Sequence, residues 1–81
     1  MRINVLYFAQ ARERAGRASA PFDLPQGSRV ADAVAAIRRA TPALDPLWPH
    51  LAIAVDGVLV SPETALREGA EVALLPPVSG G

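Results

Sequence analysis

Ser28-Arg29-Val30-Ala31-Asp32-Ala33-Val34-Ala35-Ala36-Ile37-Arg38-Arg39-Ala40-Thr41-Pro42 is the clearest helix in this 81-residue chain. Val30, Val34 and Ile37 fall at i, i+4 and i+7, with Ala33, Ala36 and Ala40 on the flanks, so one stripe is apolar. Ser28 is expected to cap the N-terminus. Arg38 and Arg39 sit where cations suit the helix dipole, and Pro42 stops the run. What this helix covers is decided by the segments on either side.

Upstream, Arg2 to Phe8 alternates as a strand, with Ile3, Val5 and Tyr7 on one side and Asn4, Leu6 and Phe8 on the other. Ala9 to Ala15 is made of helix formers and ends at Gly16, a natural C-cap. Ala18, Ala20 and Phe22 alternate again, a weaker strand ending at Pro25-Gln26-Gly27. Downstream, residues 43–50 hold two prolines and read as a loop. Leu51 to Val55 is a strand, Asp56-Gly57 a tight turn, and Val58-Leu59-Val60 the returning hairpin strand. Ser61 to Leu66 turns the chain again, and Glu71 to Leu75 is the last strand.

The order is therefore β, short α, β, α and three short β segments. An α+β fold follows, a mixed sheet packed on one main helix. Two strands, a crossover helix and further strands resemble the ubiquitin-like β-grasp, in which the last strand lies centrally beside the first. Residues 1–75 would form the domain and 76–81 a flexible tail.

Composition narrows the function. The net charge is zero, with eight arginines against eight acids and no lysine, which argues against nucleic acid as a partner. The charges are segregated, +4 over residues 1–41 and −4 over residues 42–81. An acidic second half facing a basic partner is one reading; chance spread over a solvated surface is the plainer one. No cysteine is present, which fits a reducing cytoplasm and removes thiol nucleophiles, redox pairs and thiolate metal sites. No stretch is apolar and long enough to span a bilayer. Without lysine, no side-chain amine of this chain could capture an acyl group activated at its own C-terminus.

No constellation for catalysis is visible. His50, the single histidine, lies between Pro49 and Leu51 and reads as a loop residue. Ser19, Ser28, Ser61 and Ser79 have no histidine and acid arranged around them. Asp56 belongs to a turn, and Glu63, Glu68 and Glu71 read as surface charge. No spacing suggests a metal site. Parity does place three large apolar residues, Phe8, Leu59 and Leu75, on the sheet face away from the helix. Scattered exposed apolar residues are common, but gathered together they would mark a partner surface.

The tail Pro76-Pro77-Val78-Ser79-Gly80-Gly81 carries the remaining chemistry. Two prolines stiffen the exit, Val78 offers an anchor, and the bare diglycine can pass through a narrow tunnel. The α-carboxylate of Gly81 is ionised at neutral pH and is a poor electrophile. An ATP-dependent partner would have to convert it to an acyl-adenylate, and sulfur could then displace AMP to leave a thiocarboxylate.

Leu6-Tyr7-Phe8-Ala9 with Arg12-Glu13, the Val30-Ala31-Asp32 helix start, Ala54-Val55-Asp56-Gly57, and Glu71 through Gly81 are together similar to the MoaD family, the small subunits of molybdopterin synthase. The resemblance spans nearly the whole chain, with residues 40–50 matching least. It implies a carrier that is no enzyme on its own. Gly81 would be adenylated by a ubiquitin-activating-like enzyme using ATP and then loaded by a sulfurtransferase. The tail, Pro76 to Gly81, would enter the large catalytic subunit of a heterotetramer, where two carriers in succession supply the dithiolene sulfurs of molybdopterin from cyclic pyranopterin monophosphate. Phe8, Leu59 and Leu75 would fall in the family's partner-binding patch, and Arg12 would border it. No bound cofactor or metal is implied. Asp56 replaces the family's usual asparagine, Ala70 its usual aspartate, and Arg29 its usual threonine cap.

Other readings stay open: a carrier for thiamine synthesis or tRNA thiolation, a ubiquitin-like modifier joined to lysines through Gly81, or a plain interaction module with an inert tail.

Overall fold

Alternation along the first strand, β1 (Arg2–Tyr7), buries Ile3, Val5 and Tyr7 and turns Leu6 outward. The computed structural model describes residues 1–77. After β1 come α1 (Ala9–Ala15), β2 (Ser19–Asp23), α2 (Val30–Ala40), a 3-10 segment (Pro42–His50), β3 (Ala52–Val55), β4 (Val58–Leu59) and β5 (Glu71–Leu75). The strands form one mixed sheet in the order β2-β1-β5-β3-β4. β5 runs parallel to β1 and antiparallel to β3, so the last strand lies centrally beside the first, as the β-grasp resemblance implied.

α2 covers one face of this sheet. Val30, Ala33 and Ile37 pack with Ile3, Val5, Tyr7, Val72 and Leu74, each buried. The hairpin signal was legible because its geometry is demanding. Asp56 and Gly57 both take positive φ, 49° and 85°, the requirement of the two-residue turn whose twist suits antiparallel strands.

Two local expectations are corrected. Ser28 does not cap α2. It is buried, and its hydroxyl donates to the Pro25 carbonyl at 2.7 Å, closing the turn that precedes the helix. The N-cap position falls to Arg29, whose backbone N–H donates to the Asp32 carboxylate at 2.8 Å. Loop carbonyls satisfy the first helical donors instead: Val30 N–H reaches Thr64 O at 2.9 Å and Ala31 N–H reaches Pro62 O at 3.0 Å. A helix start docked on a loop needs no side-chain cap.

Residues 43–50 are likewise no open loop. Pro42–His50 is a 3-10 segment with Leu44 fully buried and Leu47 and Trp48 packed against the core. The Arg38 guanidinium lies 5.7 Å from the centroid of the Trp48 ring, and Arg38 Nε is 4.0 Å from Asp45 Oδ1. These contacts fasten the segment to the C-terminal end of α2.

Candidate functional site: the open sheet face and the end of β5

Pairing between β1 and β5 decides where the chemistry can occur. The two strands are parallel and Tyr7 pairs with Leu74, so the residues after them, Phe8 and Leu75, lie level at the same end of the sheet. Phe8 is extended, with φ −112° and ψ 150°, and caps the start of α1. Its carbonyl accepts from Ala11 N–H at 2.9 Å and Arg12 N–H at 3.3 Å, while buried Ala11 anchors the helix below. The backbone is thus held with Phe8 45% exposed.

Register carries the same face across the sheet. Ser19 pairs with Leu6, Leu6 with Ala73, Ala73 with Ala54 and Ala54 with Leu59, one row crossing all five strands. The adjacent row toward the exit holds Leu75 opposite Ala52. Small Ala52, Ala54 and Ala73 form a low apolar floor, and Leu6, Phe8, Leu59 and Leu75 rise around it. Leu59 is 69% exposed. Phe8, Leu59 and Leu75, separated by up to 67 positions in the sequence, are therefore gathered on one face. Burying a side chain of this size contributes roughly 1.5–3 kcal/mol, so a partner covering the patch has a substantial driving force available.

Leu6 and the alanine floor were not counted among the site residues from sequence. The alternation of β1 already put Leu6 beside Phe8. The alanines carry no signal of their own until the β3–β5 register is known.

The opposite half of the open face is polar. Asn4 pairs with Glu71, and Glu71 N–H donates to Asp56 Oδ1 at 3.0 Å while Asp56 N–H returns to Glu71 O at 2.9 Å. Asp56 thus ties the hairpin to the start of β5 as well as forming the turn. Beyond it Arg2 and Asp23 make a two-pronged ion pair, Nε to Oδ1 at 2.9 Å and Nη2 to Oδ2 at 3.2 Å. That guanidinium holds the Asp23 carboxyl below the usual carboxylate range.

At the exit end the charge is cationic. Arg12 is exposed one turn after Phe8 and lines a hollow with Ala9, Glu13, Gly16, Arg17 and Ala18. Arg14 donates to Ala43 O at 3.3 Å and Arg17 Nε to Ser19 O at 2.9 Å. His50 is exposed at the end of the 3-10 segment.

Pro76 is half-buried and Pro77 exposed where β5 ends; lacking N–H groups, neither extends the ladder. Val78, Ser79, Gly80 and Gly81, the rest of the expected chemical site, lie outside the described residues. Among the described residues no group of three or more His, Cys, Asp or Glu is placed to hold a metal, and no helix is long and apolar enough to cross a membrane.

Comparison with known proteins follows the whole chain. A family model described as the ThiS family matches residues 5–81. The molybdopterin synthase sulfur carrier subunit of Chlamydomonas reinhardtii is 43% identical over 83 residues, with 100% of both chains covered. Among solved structures, SAMP1 from Haloferax volcanii superposes with a TM-score of 0.91 at 30% identity, 100% of both chains being covered. A putative molybdopterin converting factor subunit 1 from Pyrococcus furiosus superposes with a TM-score of 0.87 at 30% identity, covering 96% of this chain and 99% of that one.

Proposed function

The chain belongs to the ThiS family, and from that premise we propose that it is the sulfur-carrier small subunit of a molybdopterin synthase. The end-to-end likeness to a molybdopterin synthase sulfur carrier subunit is the observation that carries this reading. It favours molybdopterin synthesis over the thiamine and tRNA-thiolation carriers, although the family model bears the ThiS name.

The fold explains the division of labour. No described residue supplies a nucleophile with a base beside it, so the protein's contribution is presentation. The Gly81 carboxylate attacks the α-phosphate of ATP on an adenylyltransferase and pyrophosphate leaves. A sulfurtransferase persulfide then attacks the carbonyl carbon and AMP leaves; a thiol cleaves the resulting acyl disulfide, is itself oxidised to a disulfide, and frees the thiocarboxylate. Pro76 and Pro77 direct the tail away from the sheet, and Val78, Ser79 and Gly80 give it a slender approach to a buried centre. The patch of Phe8, Leu59 and Leu75, bordered by Arg12, seats the domain on the large subunit so that the tail enters its catalytic pocket. Acid, base and substrate-binding groups belong to that subunit, and a heterotetramer forms when two large subunits, each paired with one carrier, associate. A cytoplasmic setting suits this cysteine-free chain.

Intact mass after incubation with ATP, the activating enzyme and a sulfur source tests the carrier chemistry. A gain matching one oxygen replaced by sulfur, located to Gly81, is expected. An unchanged mass, with the enzymes active on a control carrier, would overturn it. Deleting Gly81 should abolish molybdopterin formation altogether; a plain interaction module would be indifferent to the deletion.

A second reading draws on the structural likeness to SAMP1, described as a small archaeal modifier protein. The same activated Gly81 could be transferred to a lysine amine of another protein. Conjugates that appear when sulfur is withheld and ATP supplied would support it.

A further inference from the structure

All eight basic side chains of this protein are arginines, and all eight are exposed. Half of them use geometry that only a guanidinium provides or that its reach suits. Arg2 grips Asp23 with two nitrogens, Arg38 lies over Trp48, and Arg14 and Arg17 donate to backbone carbonyls. Arg12, Arg29, Arg39 and Arg67 make no side-chain hydrogen bond or ion pair among the described residues, so local structure does not call for arginine there. Chemistry does distinguish the two residues at such positions. A lysine amine attacks activated acyl groups once it loses a proton, whereas the delocalised guanidinium stays protonated and has no free lone pair.

Resting on the reading that Gly81 is activated as an acyl-adenylate, we propose that this chain cannot serve as an acceptor for its own acyl group, and therefore never forms chains of itself. The reaction it avoids is amide formation. An amine nitrogen would bond to the Gly81 carbonyl carbon, the acyl–phosphate C–O bond would break with its electron pair leaving on AMP, and the amine proton would pass to water.

Among the described residues the remaining nucleophiles are buried, hydrogen-bonded or, like the exposed Ser19 and Ser61, without a base beside them. There is no thiol. The Ser28 hydroxyl is buried and donates to Pro25 O, and Tyr7 is buried. Among the described residues no histidine or carboxylate is hydrogen-bonded to a hydroxyl to serve as its base. The amine of Met1 donates to Leu24 O at 2.7 Å, while Leu24 N–H donates back to Met1 O at 2.8 Å, so it is held in the sheet. Met1 also lies just before β1, at the end opposite the tail exit, about 20 Å away for a six-residue strand. The six residues from Pro76 to Gly81 span about 20 Å only when fully extended. The held amine and the length of the tail thus oppose cyclisation, and the absence of lysine opposes coupling between copies. An adenylate so protected waits for sulfur, and any transfer to another protein adds a single unit.

The test is activation without sulfur. Wild type, Arg39→Lys and Arg67→Lys are each incubated with the activating enzyme and ATP; adenylate formation is followed by pyrophosphate release and products by intact mass. Both substitutions keep the charge and lie away from the apolar patch, so adenylation should be unchanged. Wild type is expected to give no covalent dimer. The lysine variants should give dimers of two chain masses less one water, with the isopeptide mapped to residue 39 or 67. Wild-type dimers or cyclised chains would overturn the proposal while leaving the carrier reading intact. Absence of dimers from both lysine variants would also overturn it, because protection would then come from the enzyme. No pyrophosphate release from wild type, with a control carrier active, would remove the carrier reading itself and this proposal with it.

Discussion

The two faces of the sheet are built from the same strands and differ in what waits above them. On the helix side Val5, Val72 and Leu74 meet α2 and the 3-10 segment and are fully buried. One residue along, Leu6, Ala73 and Leu75 face outward, with none of the described residues laid over the apolar floor they share with Ala54 and Leu59. Hydrophobicity alone does not separate the two sets. A leucine stabilises the fold where the chain itself covers it, and on the open face the same side chain is available to stabilise a complex.

Leucines on opposite faces of the sheet make the sharpest test of that contrast. Leu74→Ala removes a fully buried side chain and should cost about 2–5 kcal/mol, read from the urea or thermal midpoint. Leu59→Ala, on the open face, should change the same midpoint by less than about 0.5 kcal/mol. If the two losses were similar, the division into a folding face and a docking face would be wrong.

Binding should reverse the ranking. Leu59→Arg is expected to weaken association with the large synthase subunit at least tenfold, about 1.4 kcal/mol, when titrated calorimetrically. Stability should stay near that of wild type. Retained affinity would mean that the partner sits elsewhere and that the patch is merely exposed.

How much of this was legible in sequence depended on which signal each element carries. Strand parity and the paired positive φ of Asp56-Gly57 are local rules, so the strands, the hairpin and the outward placing of Phe8, Leu59 and Leu75 could be read directly. The 3-10 segment could not. Its i, i+3 contacts leave no 3.6-residue period, and Pro42, Pro46 and Pro49 look like breakers although Leu44 between them is fully buried. The α2 cap was misread for a related reason. Ser28 is a good capping residue in isolation, but tertiary contact with residues 61–65 satisfied the helix start first. That the three apolar residues share one continuous patch needed the β1–β5–β3 register, which is long-range.

Asp56 joins the hairpin to the polar half of the open face, and its removal should have an intermediate effect. Asp56→Ala leaves a left-handed residue without a side chain to support it and deprives Glu71 N–H of its acceptor. A loss of about 1–2 kcal/mol follows from those two terms. Partner affinity should be little altered, since Leu59 and Leu75 remain in place. A tenfold loss of affinity at unchanged stability would instead extend the docking surface into the polar half.

The smallest effect belongs to Arg2 and Asp23, at the far end of that half. Arg2 lowers the Asp23 pKa in the folded chain, so the stabilisation is present above the unfolded carboxyl value of about 3.9 and is lost as pH falls through the lowered folded value. Both side chains are mostly exposed, 65% and 72%, and salt will screen the pair. Asp23→Asn should therefore lower stability slightly at neutral pH and low salt, with the difference from wild type closing below pH about 4 and shrinking with added salt. A difference that persisted at acid pH would mean that Asp23 acts through strand pairing in β2 rather than through its charge. The polar half of the open face would then be held by backbone register alone, and its charges would be free to serve solubility instead of the fold.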